Sequence, residues 1–134
     1  MDRYFMCIAA IGGFLGIAAG TFAAHVIKGQ ISEELLMSFK VGVQYQMYHS
    51  LALFAVAWAY THWPGRLVAM VGWMMILGTI IFCGSLYAFA LTEQAMFGQS
   101  AAAGGMILMI AWLMLAMVAF LGRSPTKTAV PGTS

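Results

Sequence analysis

A run of hydrogen-bonding side chains lies inside an apolar stretch of this sequence. From Gln44 to His49 the chain reads QYQMYH, which supplies two amides, two phenols and an imidazole. The surrounding stretch from Val41 to Thr61 contains no Asp, Glu, Lys or Arg. Such groups can bind a polar ligand or pass a proton, and they can equally form hydrogen bonds between helices.

Helical geometry sorts these side chains onto faces, at about 100° per residue. Four of them share one broad face: Gln44, Tyr45, Tyr48 and His49. Gln46 and Met47 lie off that face. Polar side chains deep in a membrane usually point into the bundle, where other helices can pair with them. We therefore predict that the four-residue face points inward.

Composition indicates that lipid is the solvent for most of this chain. The 134 residues are 63% hydrophobic and 7% charged, whereas a soluble domain is about 45–50% apolar and about 25% charged. No basic patch lies outside the flanks of the apolar runs, so we expect no nucleic-acid partner.

Four uncharged runs are each long enough to cross a bilayer, which takes about 20 residues as a helix. They extend over residues 4–24, 41–61, 67–92 and 94–122. Their length and the lack of alternation exclude membrane strands. We predict an all-α polytopic membrane protein, a four-transmembrane-helix bundle with spans near 4–26, 41–61, 67–91 and 101–121.

The connections are short. Ser32 followed by two glutamates favours a helix start, so we predict a short interfacial helix between the first two spans. It is either separate from the second span or continuous with it, with Gly42 as a candidate bend. Pro64 and Gly65 predict a turn after the second span. We assign residues 1–122 to a four-helix transmembrane domain and residues 123–134 to a disordered tail.

Cations near the helix ends predict the orientation. One side of the membrane carries four of them: Arg3, Arg66, Arg123 and Lys127. The other side carries Lys28 and Lys40. This difference favours a cytoplasmic location for both termini.

That topology brings three polar sets to one depth: His25 from helix 1, the Gln44–His49 segment from helix 2, and Ser85 with Tyr87 from helix 3. One interpretation is a set of interhelical hydrogen bonds that fixes helix register. The other is a small pocket for a ligand, a proton, a quinone or a lipid headgroup. The candidate site residues are His25, Gln44, Tyr45, Tyr48, His49, Ser85 and Tyr87.

Small residues predict where the helices pack closely in lipid. The predicted contact positions are Gly12, Gly16, Gly20, Gly84, Gly104 and Gly105. Cys7 and Cys83 differ in depth by roughly 20 Å at about 1.5 Å per residue, too far for a disulfide. We expect two free, buried thiols.

Specific chemistries have weaker support. With four acidic residues and no evident nucleophile–base pair, we expect no enzyme. His25 and His49 are a weak signal for haem, and the 12 methionines are ordinary filler in an apolar bundle. We expect no cofactor and no metal.

Three segments resemble one known family. One segment comes from each of the first three predicted spans: Gly20–His25, Phe39–His49, and Gly84–Thr92 without Ala88 and Phe89. They look like the domain of unknown function 423, a family of small bacterial membrane proteins that also includes eukaryotic transmembrane protein 256. The resemblance implies about four membrane helices, a bacterial inner (plasma) membrane location and no known activity. It singles out His25 and Gln44–His49 as recurring polar residues.

The leading hypothesis is an accessory or structural membrane protein that packs against lipid, a larger membrane complex or a second copy of itself. One alternative is a carrier or channel for a small solute or proton that uses the polar cluster. Another is a redox subunit associated with quinone or haem.

Overall fold

The computed structural model describes residues 1–121, and within them the chain is entirely helical apart from short connections. The helices are α1 (Asp2–Phe22), α2 (Glu33–His62), α3 (Arg66–Thr92) and α4 (Ala95–Leu121). A π-helical segment, Ala23–Ile27, continues α1. The predicted tail at residues 123–134 lies outside the described residues.

Within residues 1–121, three helices are long and apolar enough to cross a membrane. They are Asp2–Ile27, Arg66–Thr92 and Ala95–Leu121. The second helix, α2, has 30 residues but also carries two glutamates, a lysine and the polar QYQMYH segment. Its length would suffice for a span, while its composition separates it from the other three.

The predicted short interfacial helix is not a separate element, and its residues form the first turns of α2. The Ser32 hydroxyl accepts a hydrogen bond from the Leu35 backbone N–H at 3.3 Å, which confirms a helix start here. The helix then continues without interruption through Gly42 to His62. Gly42 is a contact position within this helix: it packs against Tyr87, where a Cβ would lie 2.7 Å from the ring.

Helices that are neighbours in sequence are neighbours in space: α1 packs on α2, α2 on α3, and α3 on α4. Glycines permit several of these close approaches. A Cβ at Gly104 would lie 2.5 Å from the backbone nitrogen of Phe82, so α4 touches the α3 backbone. A Cβ at Gly72 would overlap the ring of Phe5 from α1. Sequence inspection had not singled out Gly72.

Two apolar cores lie at opposite ends of the bundle. The larger one centres on Phe5, Val56, Val71 and Met75. The smaller one is formed by Ala23, Ile27, Leu36, Phe39 and Ala90. The polar part of α2, residues 44–50, lies along the helix between the two cores.

The two cysteines are both free, but only one is buried. Cys83 is buried on α3, as expected. Cys7 is exposed on the outer face of α1, which contradicts the expectation of two buried thiols. The expectation considered only depth along α1, whereas at about 100° per residue Cys7 lies on the side opposite the predicted contact glycines Gly12, Gly16 and Gly20.

Candidate functional site

An interhelical polar layer occupies the level between the two apolar cores. We use this name for the polar groups that join different helices there: Gln46, His49, Ser85, Tyr87, Ser100, Trp112 and the Gly12 carbonyl. Each of the four helices contributes at least one of them.

Gln46 connects three helices. Its amide nitrogen donates a hydrogen bond to the Gly12 carbonyl of α1 at 2.9 Å. Its amide oxygen accepts a hydrogen bond from the Tyr87 hydroxyl of α3 at 2.8 Å. Because the two amide ends require different partners, this bridge fixes the relative height of α1, α2 and α3.

His49 connects α2 to α4. The Trp112 indole N–H donates to His49 Nε2 at 3.2 Å, and His49 Nδ1 lies 2.7 Å from the Tyr45 carbonyl oxygen. Indole nitrogen can only donate, so Nε2 must accept and the proton must be on Nδ1. The two partners together select one neutral tautomer of the imidazole.

Ser85 forms a third connection, between α3 and α4. Its buried hydroxyl lies 3.1 Å from the Ser100 hydroxyl. The Ser100 hydroxyl also reaches the carbonyl oxygens of Met96 and Phe97, at 3.2 and 3.0 Å. With these contacts, each pair of sequence-adjacent helices shares at least one hydrogen bond in the layer.

The inward face of α2 differs from the predicted one. Gln44, Tyr45 and Tyr48 are exposed, whereas Gln46 is half-buried and His49 is buried. Gln44 donates to the Tyr48 hydroxyl at 2.6 Å along the outer surface of the same helix. A helical wheel gives relative angles only, so it could not show which side of α2 meets α1 and α3.

A signal for the true face was present in the sequence. The inward stripe of α2 recurs at helical spacing of three and four residues: Phe39, Gly42, Gln46, His49, Leu53 and Val56. Gly42 marks the close approach to α3, and Gln46 follows it by one turn. Taking the glycine as a contact position rather than a bend would have placed Gln46 inside.

His25 does not join the polar layer. It lies on the π-helical segment and is exposed, and it lines neither of the two cavities described below. His49 uses both ring nitrogens in hydrogen bonds within the protein. The structure therefore does not bring together the histidine pair that the haem interpretation required.

The predicted packing glycines occupy different environments. A Cβ at Gly12 or Gly16 would press on Ser50 or Met47 of α2, at 2.5 and 2.6 Å. Gly20 and Gly105 have ordinary contact distances to Val43 and Phe82: Cβ atoms there would lie 3.4 and 3.5 Å away. A Cβ at Gly84 would meet no atom within 4 Å, so this position opens onto free space.

Two cavities flank the polar layer. The first, of about 350 Å³, lies against α2 between α1 and α3, and Gln46, Ser50 and Tyr87 are among its lining residues. The second, of about 520 Å³, lies between α2 and α4, where Tyr45, Phe82 and Trp112 form part of its wall. His49 lines both. Among residues 1–121, no three His, Cys, Asp or Glu side chains are grouped as metal ligands would be.

Comparison with known proteins identifies the family. A family model described as a protein of unknown function, DUF423, matches residues 19–105. This range contains α2, α3 and most of the polar layer.

The chain belongs to the DUF423 family.

Relatives in this family match over nearly their whole length. The UPF0382 membrane protein YwdK of Bacillus subtilis is 36% identical over 118 residues, which are 87% of this chain and 96% of the relative. A UPF0382 membrane protein of Haemophilus influenzae is 31% identical and covers 92% of this chain, with 99% of its own length matched. The UPF0382 inner membrane protein YgdD of Escherichia coli is 30% identical, over 85% of this chain and 87% of the relative.

No solved structure matches the chain. The family and the apolar helices together establish a helical membrane protein.

Proposed function

We propose that this DUF423 protein is a four-span accessory subunit of a bacterial inner membrane, with both termini in the cytoplasm and no catalytic activity. Its role would be to pack through its outer helix faces against a larger membrane complex and the surrounding lipid. The E. coli relative is named an inner membrane protein, which supports the location.

The proposal that α2 spans the membrane rests on its neighbours. It packs along α1 on one side and α3 on the other, and both of those helices are apolar enough to span. The polar residues on its inner side bond to other helices instead of facing lipid. A helix held in this position, with an uncharged run from Val41 to Thr61, can cross the bilayer beside them.

One observation carries the functional proposal: the polar groups of the layer bond to one another, while the outer faces of α1 and α4 carry exposed apolar side chains. Among the described residues, no enclosed side-chain nitrogen or oxygen lacks a partner. Outside, Phe14 on α1 is 71% exposed and Phe120 on α4 is 90% exposed. The polar groups thus act within the bundle, and the free surface is suited to apolar partners.

The carrier alternative has less support from this arrangement. A path for a proton or solute needs polar groups that are free to bind the moving species. Gln46, His49 and Tyr87 instead direct their hydrogen bonds to other helices of the same chain or to its backbone.

Site-specific photo-crosslinking tests the proposal in native membranes. We would place azidophenylalanine at Phe14, at Phe120 and, as a matched control, at Phe39, which is 4% exposed. The proposal predicts a discrete cross-linked protein from at least one outer position and none from Phe39. Cross-links to lipid alone from both outer positions would contradict a protein partner.

A further inference from the structure

The cavity between α1 and α3 has the dimensions of a binding site. Its volume of about 350 Å³ falls at the lower end of the roughly 300–1,000 Å³ range of small-molecule sites. Most of its wall is apolar, and includes Ile8, Ile11, Leu15, Leu53, Ile76 and Ile80. A few polar groups interrupt this wall near the middle of the bundle.

Ser50 is the most informative of these groups. The residue is 7% exposed and lines the cavity. Thr21 and Thr79 donate to carbonyls of their own helices, at 3.0 and 2.7 Å, as hydroxyls in apolar helices usually do. The Ser50 hydroxyl has no such partner within residues 1–121. Since every fully enclosed polar atom there is paired, the Ser50 oxygen is not fully enclosed, and its residue lines the cavity.

The neighbouring polar group also has a donor to spare. An amide nitrogen carries two N–H groups, and Gln46 uses one of them for the Gly12 carbonyl. Among the residues that the structure describes, no Asp, Glu, Lys or Arg lines the cavity. The wall therefore offers hydrogen-bond donors without charge, which suits a neutral ligand that carries an acceptor such as a carbonyl oxygen.

The depth of these polar groups in the membrane decides which carbonyl-containing lipid can reach them. Ser50 lies beside the midpoint of the uncharged run Val41–Thr61, and Thr79, which also lines the cavity, is central in Leu67–Thr92. The ester carbonyls of a phospholipid stay near the edge of a hydrocarbon core of about 30 Å, roughly 15 Å from its centre. A quinone has two carbonyls on an uncharged ring and can lie at mid-membrane depth.

We propose that this cavity binds the head of an isoprenoid quinone, with a quinone carbonyl accepting a hydrogen bond from Ser50. Gln46, four residues before Ser50 on α2, lines the same cavity and would offer its second N–H to the ligand, and the isoprenoid tail would extend along the apolar wall between α1 and α3. The proposal concerns binding alone and stands apart from the accessory role, since a quinone site and a protein partner are detected by different experiments.

Two glycines offer a matched pair of variants for the test. A Cβ at Gly84 would meet no atom within 4 Å, and Gly84 lines the cavity. A Cβ at Gly13 would also meet nothing within 4 Å, and Gly13 is not among the residues lining this cavity. Gly84→Leu should fill the site, while Gly13→Leu adds the same group elsewhere.

The experiment uses the full-length protein in phosphatidylethanolamine nanodiscs, labelled with a photoreactive azidoquinone. Competitors are decylubiquinone and, as an uncharged ester lipid, dioleoylglycerol. We expect saturable labelling of cavity-lining residues that decylubiquinone suppresses and dioleoylglycerol does not. Gly84→Leu should abolish it and Gly13→Leu should retain it. Ser50→Ala should raise the decylubiquinone concentration needed to suppress labelling about fivefold, because it removes one neutral hydrogen bond.

Several results would overturn the proposal. Equal labelling of the two glycine variants would show that the quinone binds outside the cavity. Suppression by dioleoylglycerol as strong as that by decylubiquinone would identify a general ester-lipid site. If Gly84→Leu failed to fold, unchanged protection in Ser50→Ala would be sufficient to reject the assigned contact.

Discussion

Trp112 on α4 donates its indole N–H to Nε2 of His49 on α2, at a distance of 3.2 Å. This contact joins two helices that are not neighbours in sequence, and it requires a neutral imidazole with its proton on Nδ1. The Tyr45 carbonyl, 2.7 Å from Nδ1, accepts that proton's hydrogen bond. His49 resembled a haem-binding group in the sequence. Both of its ring nitrogens are instead engaged in hydrogen bonds within the protein.

Replacing Trp112 tests this contact directly. Trp112→Phe keeps an aromatic ring but removes the donor, so unfolding in detergent should become easier by about 0.6 kcal/mol, the mean value for an interhelical hydrogen bond in a membrane. Trp73→Phe is the control, because Trp73 is 50% exposed against 47% for Trp112 and makes no such bond to His49. Thermal unfolding of both variants gives the comparison, and equal losses would contradict the assigned contact.

Gln46 and Gln44 form a second matched pair. Gln46→Leu removes one bond to α1 and one to α3, so the expected cost is about 1–2 kcal/mol on the scale of interhelical bonds. Gln44→Leu removes only a bond to Tyr48 on the exposed side of the same helix and should change stability little. The denaturation midpoints in one detergent decide between them. A larger loss for Gln44→Leu would restore the face that the helical wheel predicted.

Because α3 and α4 pack closely, we predict that replacing a glycine by alanine is costly at Gly104 and harmless at Gly84. Gly104→Ala places a Cβ 2.5 Å from the Phe82 backbone nitrogen, which cannot move aside as a side-chain end could. The two helices must separate, at a cost of about 1–3 kcal/mol for overpacking. Gly84→Ala adds the same methyl group where no atom lies within 4 Å and should leave the melting temperature almost unchanged. Similar melting temperatures for the two variants would argue against this helix contact.

The number of spans predicts where the termini lie. With α2 spanning, both termini are on one side, and with only α1, α3 and α4 spanning they are on opposite sides. Fusions of green fluorescent protein and of alkaline phosphatase at each end report the side, since the first fluoresces in the cytoplasm and the second is active outside it. We expect fluorescence from both ends and phosphatase activity from neither. Activity from the carboxyl-terminal fusion alone would indicate three spans.

Sequence reasoning predicted the helical class and the main breaks well, because both depend on local properties. Long uncharged runs predict helices in lipid, the Ser32 cap begins α2, and the segment around Pro64 ends it. The sequence left open whether the segment after Ser32 is a separate helix or continuous with the second span, since a glycine in a helix can mark either a bend or a contact.

The site was harder to predict because it depends on how the helices are rotated. Gln46 was placed off the inward face and proves to be the bridge among three helices. His25 was grouped with the site by depth alone and lies exposed on another part of the chain. Trp112 was not considered, since its partner is 63 residues away and no local pattern connects the two.

The accessory role is the central claim, and purification from native membranes in a mild detergent tests it most directly. Proteins that co-purify with a tagged full-length chain would be identified and quantified by mass spectrometry. The account predicts that a larger membrane protein co-purifies in stoichiometric amount. This protein should be lost from the preparation of a Phe14→Asn, Phe120→Asn double variant whose thermal stability is unchanged. A homogeneous preparation of this chain alone, from membranes that contain its natural neighbours, would contradict the account.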